Sequence, residues 1–211
     1  MAPAGLNMES ISPLTLNRLS VYLRALRQLD EEGAKRISSR EMANRFHLSA
    51  AQIRKDLAQF GELGIRGVGY EVAPLRHKLE DQLGLWREHR AVIVGAGNIG
   101  SALAQFPGLN SEHFRVVGLF DIDPGRIGAQ VGRMKVRPSG DLAQIVRDHK
   151  VELGILAVPA EAAQENYDAM AEAGIRAVLN FAPVYLREKP EARVKNVDLM
   201  IFVEELAHHL G

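Results

Sequence analysis

The apolar positions fall into two regions with different periods. Over residues 13–32, Leu16, Leu19, Leu23 and Leu26 recur at intervals of three and four with Arg18, Arg24, Arg27 and Gln28 between them, which predicts an amphipathic helix stopped by Gly33. Ser38-x-x-Glu41 has the form of a capping box opening a short helix with Met42, Ala43 and Phe46 inward. Ser49-x-x-Gln52 has the same form, and its helix puts Ile53, Leu57 and Phe60 inward. With only His47 and Leu48 between them, these two make a helix-turn-helix. The run GELGIRGVGYEV, residues 61–72, suits a β-hairpin wing with Arg66 near its tip. A phosphate-binding glycine loop is the rival, but the run lacks a Lys-Ser/Thr ending and a helix starting at its last glycine. Pro74 can begin a further helix carrying Leu75, Leu79 and Leu83, and residues 85–90, with the sole tryptophan Trp86, read as a linker.

From residue 90 onward short apolar runs alternate with helical patterns. Strands are expected at 91–94, 116–120, around 134–136, 153–158, 177–179 and around 197–199, with helices after Gly100, over 139–149 and over 161–173. That alternation predicts a doubly wound parallel sheet of about six strands. Residues 200–210 set Ile201, Leu206 and Leu210 against Glu204, Glu205 and His208, a short amphipathic helix that packs on its own domain or forms a dimer contact. The expected division is a winged-helix domain over 1–85, a Rossmann domain over 86–199 and a C-terminal dimerisation helix over 200–211.

The richest local signal is GAGNIG, residues Gly95, Ala96, Gly97, Asn98, Ile99 and Gly100, set between an apolar strand and a helix. Gly95 would let the chain turn off the strand, Gly97 would let backbone approach a pyrophosphate, and Gly100 would let helix and strand pack closely. The helix N-terminus offers unpaired N–H groups to phosphate. Asp121, 21 residues after Gly100 at the end of the next strand, can accept from ribose hydroxyls and repels a 2′-phosphate, so NAD(H) is favoured over NADP(H).

Composition narrows the classes. There is no cysteine, which excludes disulfides, thiolate chemistry and cysteine-ligated metal, and no metal site is expected. No apolar run approaches the roughly 18 residues that span a bilayer, and residues 1–10 lack a signal-peptide pattern, so a cytoplasmic protein without membrane contact is expected. Net charge is zero, yet residues 35–78 hold nine Lys or Arg against four acids, while residues 90–211 hold thirteen against fifteen. The positive charge therefore gathers on the helix-turn-helix. On its second helix Gln52, Lys55 and Gln59 share the outer face with Arg54 beside them, groups able to read base edges and neutralise phosphates; a merely solvated face is the alternative.

A dehydrogenase needs a proton carrier beside the nicotinamide and a substrate pocket. None of the seven histidines follows an apolar strand, and the strand ends offer Pro159 and Asn180-Phe181-Ala182-Pro183, which wall a flat ring but do not carry protons. A sensor of a nicotinamide dinucleotide that alters its hold on DNA is the economical reading; a small NAD-dependent oxidoreductase is the alternative.

The run SSREMANRFHLSAAQIRKDLAQFGELGIRGVGYEV, the GAGNIG loop, FDID, VPA at 158–160 and VLNFAPVYL resemble the Rex family of redox-sensing transcriptional repressors, in family order over residues 19–206. The resemblance implies a non-enzymatic homodimer whose C-terminal helices are exchanged, bound to palindromic double-stranded operator DNA and released when NADH binds. It implies DNA contacts from Ser38, Ser39, Ser49, Gln52, Arg54, Lys55, Gln59, Arg66 and Tyr70. It places Asn180, Phe181, Pro183 and Pro159 at the NAD(H) site with the glycine loop and Asp121. Arg24 and Asp198 occupy the family's switch positions. Phe106 stands where relatives can carry a tyrosine, so it can pack on the nicotinamide but cannot bridge to Asp198 through a hydroxyl.

Overall fold

The structure is a computed structural model that describes residues 11–61, 63–65 and 67–210. The chain divides into two compact units, Met1–Trp86 and Arg87–Gly211.

In the first unit, α1 (Pro13–Glu31) starts at Ser12, whose Oγ accepts from the Thr15 N–H at 3.1 Å, with Pro13 in the first turn where no N–H is needed. Then follow β1 (Arg36–Ile37), α2 (Ser39–Phe46), α3 (Ala50–Ala58), β2 (Gly64–Ile65), β3 (Gly69–Glu71) and α4 (Val72–Gln82). The Ser38 box is reciprocal: the Ser38 Oγ accepts from the Glu41 N–H, and the Glu41 carboxylate accepts from the Ser38 N–H. At Ser49 only half a box forms. The Ser49 Oγ accepts from the Gln52 N–H, but the Gln52 side chain turns instead to Asp56. His47 ends α2 in the left-handed region at φ 53° and makes the tight turn. Strands β2 and β3 pair antiparallel as the expected hairpin, and β3 also pairs with β1, a two-residue strand too short to announce itself in the sequence. Helix α4 starts at Val72, two residues before Pro74, because a proline in the first turn removes only an N–H that has no intrahelical partner. Leu19, Leu26, Met42, Ile53, Leu57, Leu75 and Leu79 form the core of this unit. Around it, Glu80 accepts from Arg27 and Arg76, and Arg76 also reaches Asp30, which ties α4 to α1.

The second unit runs β4 (His89–Val94), α5 (Asn98–Gln105), β5 (Phe114–Asp121), β6 (Gln130–Val131), β7 (Met134–Pro138), α6 (Leu142–His149), β8 (Leu153–Leu156), α7 (Ala160–Glu172), β9 (Ala177–Asn180), β10 (Arg193–Asn196) and α8 (Leu199–His208). Its sheet has seven strands in the order β10-β9-β8-β4-β5-β7-β6, all parallel except β6, which pairs antiparallel with β7 at the edge. Leaving β6 aside, this is the doubly wound order, with the crossovers reversing direction at β4. Val92, Val94 and Phe120 pack against Val146, Tyr167 and Met170, while Ile93, Leu119 and Ile155 pack with Ala104, so both faces are covered by helices.

Four boundaries in this unit differ from expectation. The last strand lies at 193–196 and not at 197–199: Arg193 and Lys195 point outward on this edge strand and hide its pattern, and Asp198 already caps the next helix. Strand β8 stops at Leu156, and α6 begins at Leu142 after a 3-10 turn at Ser139–Asp141. His89 and Arg90 belong to β4, so the link between the units is shorter than 85–90. No helix among the described residues is long and apolar enough to cross a membrane.

Candidate dinucleotide site and nucleic-acid interface

The glycine loop lies at the carboxyl end of β4, and a methyl group built on each glycine meets a different fate. At Gly95, with φ +102°, a Cβ would sit 2.2 Å from the Ala157 carbonyl oxygen. At Gly100 it would sit 1.7 Å from the Gly95 oxygen, so helix α5 can lie this close to the loop only without a side chain there. At Gly97 the single atom within 4 Å is Nη1 of Arg126, at 3.5 Å. Two glycines serve packing, therefore, and the middle one leaves open space over the start of α5. Gly97 is the N-cap of α5 with no side-chain cap bond, and Asn98 and Ile99 follow exposed in the first turn, so N–H groups there remain available to an anion.

Asp121, 7 % exposed, ends β5 beside this loop. Its Oδ2 accepts from the Ala96 N–H at 2.8 Å and its Oδ1 from the Asp123 N–H at 2.9 Å, while Nη1 of Arg126 stands 3.3 Å from Oδ2. Burial pushes this carboxyl up, but the N–H groups of Asp123 and Ala96 and the Arg126 guanidinium outweigh it and hold the group below the ordinary carboxylate range. Gly95, Asp121 and Pro159 line a narrow cleft of about 90 Å³ with Ile122, Arg126 and Ser139. The Ser139 Oγ is buried without a hydrogen-bond partner among the described residues. A polar atom left unpaired in a cleft beside an open glycine loop suits the adenosine half of a dinucleotide.

A second, larger cleft of about 440 Å³ brings together Ile99, Phe181, Pro183 and Asp198 with Tyr185 and Met200. Its wall is mainly apolar, which suits a nicotinamide ring. Asp198 borders it while capping α8, its Oδ1 accepting from the Met200 N–H at 2.9 Å. Six expected site residues line neither cleft: Ala96, Gly97, Asn98 and Gly100, which belong to the glycine loop and the start of α5, and Asn180 and Phe106. Asn180 is fully buried: its amide donates to the Val184 carbonyl at 2.9 Å and to Asn196 at 2.9 Å, and its Oδ1 accepts from the Ala182 N–H. It shapes the loop that carries Phe181 and Pro183. Phe106 closes α5 with its ring against Gly108, exposed on the outside. Conversely, Arg126 and Ser139 are missed by sequence reasoning; the position of Arg126 five residues past the acidic strand end is the one signal that could have flagged it.

In the first unit, Ser38, Ser39, Arg54 and Tyr70 line a cleft of about 590 Å³ between α3 and the β2–β3 hairpin, and Arg54 donates to the Ser39 Oγ at 3.0 Å. Ser49, Lys55 and Gln59 are exposed along α3 outside that cleft, and Gln52 is half-buried. Arg66 lies outside the described residues. Arg24 is exposed on α1. No group of three His, Asp or Glu able to hold a metal ion occurs among the described residues.

Comparison with known proteins supplies the family. Residues 10–58 match the profile of the putative DNA-binding protein N-terminus family, and residues 87–184 that of the CoA-binding domain family. The chain is 44 % identical over 201 residues to the redox-sensing transcriptional repressor Rex of Desulforamulus reducens, covering 95 % of this chain and 96 % of the relative. It is 45 % identical to that of Pelotomaculum thermopropionicum, covering 93 % and 92 %. Among solved structures, the Rex-family repressor RSP in complex with NAD⁺ and operator DNA superimposes with a TM-score of 0.88 at 34 % identity, covering 95 % of this chain and 92 % of that one. RSP in complex with NADH gives 0.85 at 33 %, covering 95 % and 94 %. Members of this family are transcription factors and not enzymes, which removes the oxidoreductase alternative. The chain belongs to the Rex family of redox-sensing transcriptional repressors.

Proposed function

We propose that the protein, as a homodimer, grips a palindromic operator through α3 and the β2–β3 wing and lets go when NADH occupies the two clefts of the sheet unit. The observation that carries this reading is the pairing of a narrow cleft, where the Asp121 carboxylate and the unpartnered Ser139 hydroxyl stand beside the glycine loop, with a larger, mainly apolar one at Ile99, Phe181 and Pro183. The first suits the adenosine and pyrophosphate, the second the nicotinamide. NAD⁺ and NADH differ by one charge at the ring, and an apolar wall favours the neutral reduced form because an unpaired buried charge is costly, so long as the Asp198 carboxylate on the border of the cleft is held by a partner other than the ring.

The dimer is supported by α8, whose Leu199, Met200, Ile201, Phe202, Val203 and Leu206 are all exposed in this chain. An apolar helix of this kind asks for cover, and the α8 of a second copy exchanged across the dimer provides it. A two-fold dimer reads a two-fold operator, with α3 of each chain in a major groove and Ser38, Ser39, Ser49, Gln52, Arg54, Lys55, Gln59, Arg66 and Tyr70 at the DNA. Asp198 is assigned to the coupling because it borders the proposed nicotinamide cleft and caps α8, and Arg24, exposed on α1, is the other proposed switch residue.

Fluorescence anisotropy of a labelled duplex selected from a random library tests the mechanism. NADH should release the duplex at concentrations where NAD⁺ leaves the complex intact; an equal response to both nucleotides overturns it.

A further inference from the structure

Asp56 sits on α3 with 1 % of its surface exposed, in a segment otherwise rich in cations. Four donors converge on its carboxylate. Arg18 forks onto it through Nε at 2.6 Å and Nη2 at 2.8 Å, the Tyr22 hydroxyl donates at 2.9 Å, and the Gln52 amide donates through Nε2 at 2.8 Å. Arg18 holds the carboxyl below the ordinary range against the cost of burial, so it stays ionised and can only accept. An acceptor-only partner decides which way the Gln52 amide is turned: its nitrogen faces Asp56, and its oxygen with the second N–H faces away.

Gln52 is the third residue of α3, and residues at the start of a recognition helix are those that reach base edges. An amide presenting one acceptor beside one donor matches only adenine in the major groove, where N6 donates and N7 accepts; guanine shows two acceptors, cytosine a donor alone and thymine an acceptor alone. We infer that Asp56 is a positioning residue that locks the Gln52 amide in the orientation that reads an adenine in each operator half-site. This rests on the assignment of α3 to the DNA face. The Arg18 and Tyr22 side chains hold Asp56 in turn, so the adenine reader is set from α1 as well as from its own helix.

Sequence selection from a randomised duplex library with the full-length chain tests it. The wild type should enrich one adenine per half-site with a discrimination on the order of tenfold. Gln52→Ala should lose that position and keep the rest of the motif. Asp56→Asn, which can donate or accept and so frees the amide to turn, should relax the same position several-fold while affinity for random duplex stays unchanged. If Asp56→Asn does not fold by circular dichroism, Tyr22→Phe removes one donor without changing charge and should relax that position by a smaller factor. The inference is overturned if Gln52→Ala leaves every position intact, or if the position it controls is not adenine. It is equally overturned if the Asp56→Asn or Tyr22→Phe variant weakens all duplexes alike or leaves that position unchanged. A wild type that enriches no motif overturns the DNA-reading assignment itself.

Discussion

Gly95 and Gly97 stand two residues apart and predict opposite mutant behaviour. A methyl group at Gly95 meets a carbonyl oxygen at 2.2 Å on a backbone already at φ +102°, so Gly95→Ala should cost about 2 kcal/mol or more in urea unfolding. At Gly97 the only neighbour within 4 Å is the tip of Arg126, so Gly97→Ala should unfold like the wild type yet lose NADH affinity by roughly tenfold, because the added methyl would occupy the proposed approach of the pyrophosphate. Titration calorimetry beside melting curves separates the two, and a Gly97→Ala protein with full NADH affinity would count against the phosphate cradle. Asp56 makes a pH prediction. Its folded pKa lies below the ordinary value, mainly through Arg18, so its contribution to stability is complete above about pH 4 and is lost as pH falls through the lower folded value. Melting temperature should drop over that window and drop less steeply in Asp56→Asn; parallel pH profiles would contradict it. The glycines, Asp121 and the helix caps are legible in the sequence because each meets a need of its own few residues. Asp56 and Arg126 are not, since Asp56 is buried by Arg18 and Tyr22 from 34 to 38 residues away, and Arg126 matters through where its long side chain lands.

Elements with a strong period of their own are equally readable. Helices α1, α2 and α7 fall within a residue or so of expectation, α3 ends at Ala58, two residues before the Phe60 expected on its inner face, and the central strands β4, β5, β8 and β9 overlap their apolar runs. The elements that escape are β1, β6 and β10, short or at an edge, whose residues are held by a neighbour's backbone and not by a hydrophobic pattern. The fate of α8 illustrates a further limit. Its apolar character is plain in the sequence, but the choice between packing at home and reaching a partner depends on space; in this chain Phe202 is 60 % and Leu206 65 % exposed. Phe202→Glu combined with Leu206→Glu should therefore convert a dimer to a monomer in sedimentation velocity at micromolar protein. An unchanged dimer would remove α8 from the interface.

On the scale of the whole molecule, a ligand that weakens DNA binding must itself bind more weakly when DNA is present, by the same factor. If saturating NADH lowers operator affinity a hundredfold, about 2.7 kcal/mol of coupling, NADH titrated into the preformed complex should show a hundredfold weaker affinity. Calorimetry at fixed salt checks the equality, because phosphate contacts make DNA affinity itself salt-dependent. Unequal factors would mean that release does not proceed through a linked equilibrium. The division of the ligand site into two clefts has its own consequence. On the proposed assignment, Gly95, Asp121 and Ser139 would face the half of the dinucleotide that oxidised and reduced forms share, whereas Ile99, Phe181 and Pro183 would face the half that differs. The first cleft would thus be a common handle for which both forms compete, and the second a discriminator. Rising NAD⁺ then blocks NADH at the handle, and growth of the total pool leaves the balance of occupancy unchanged. With its handle kept occupied, such a protein would report a quotient and ignore the amount, and any free adenine nucleotide able to take the handle would dull the response without mimicking it.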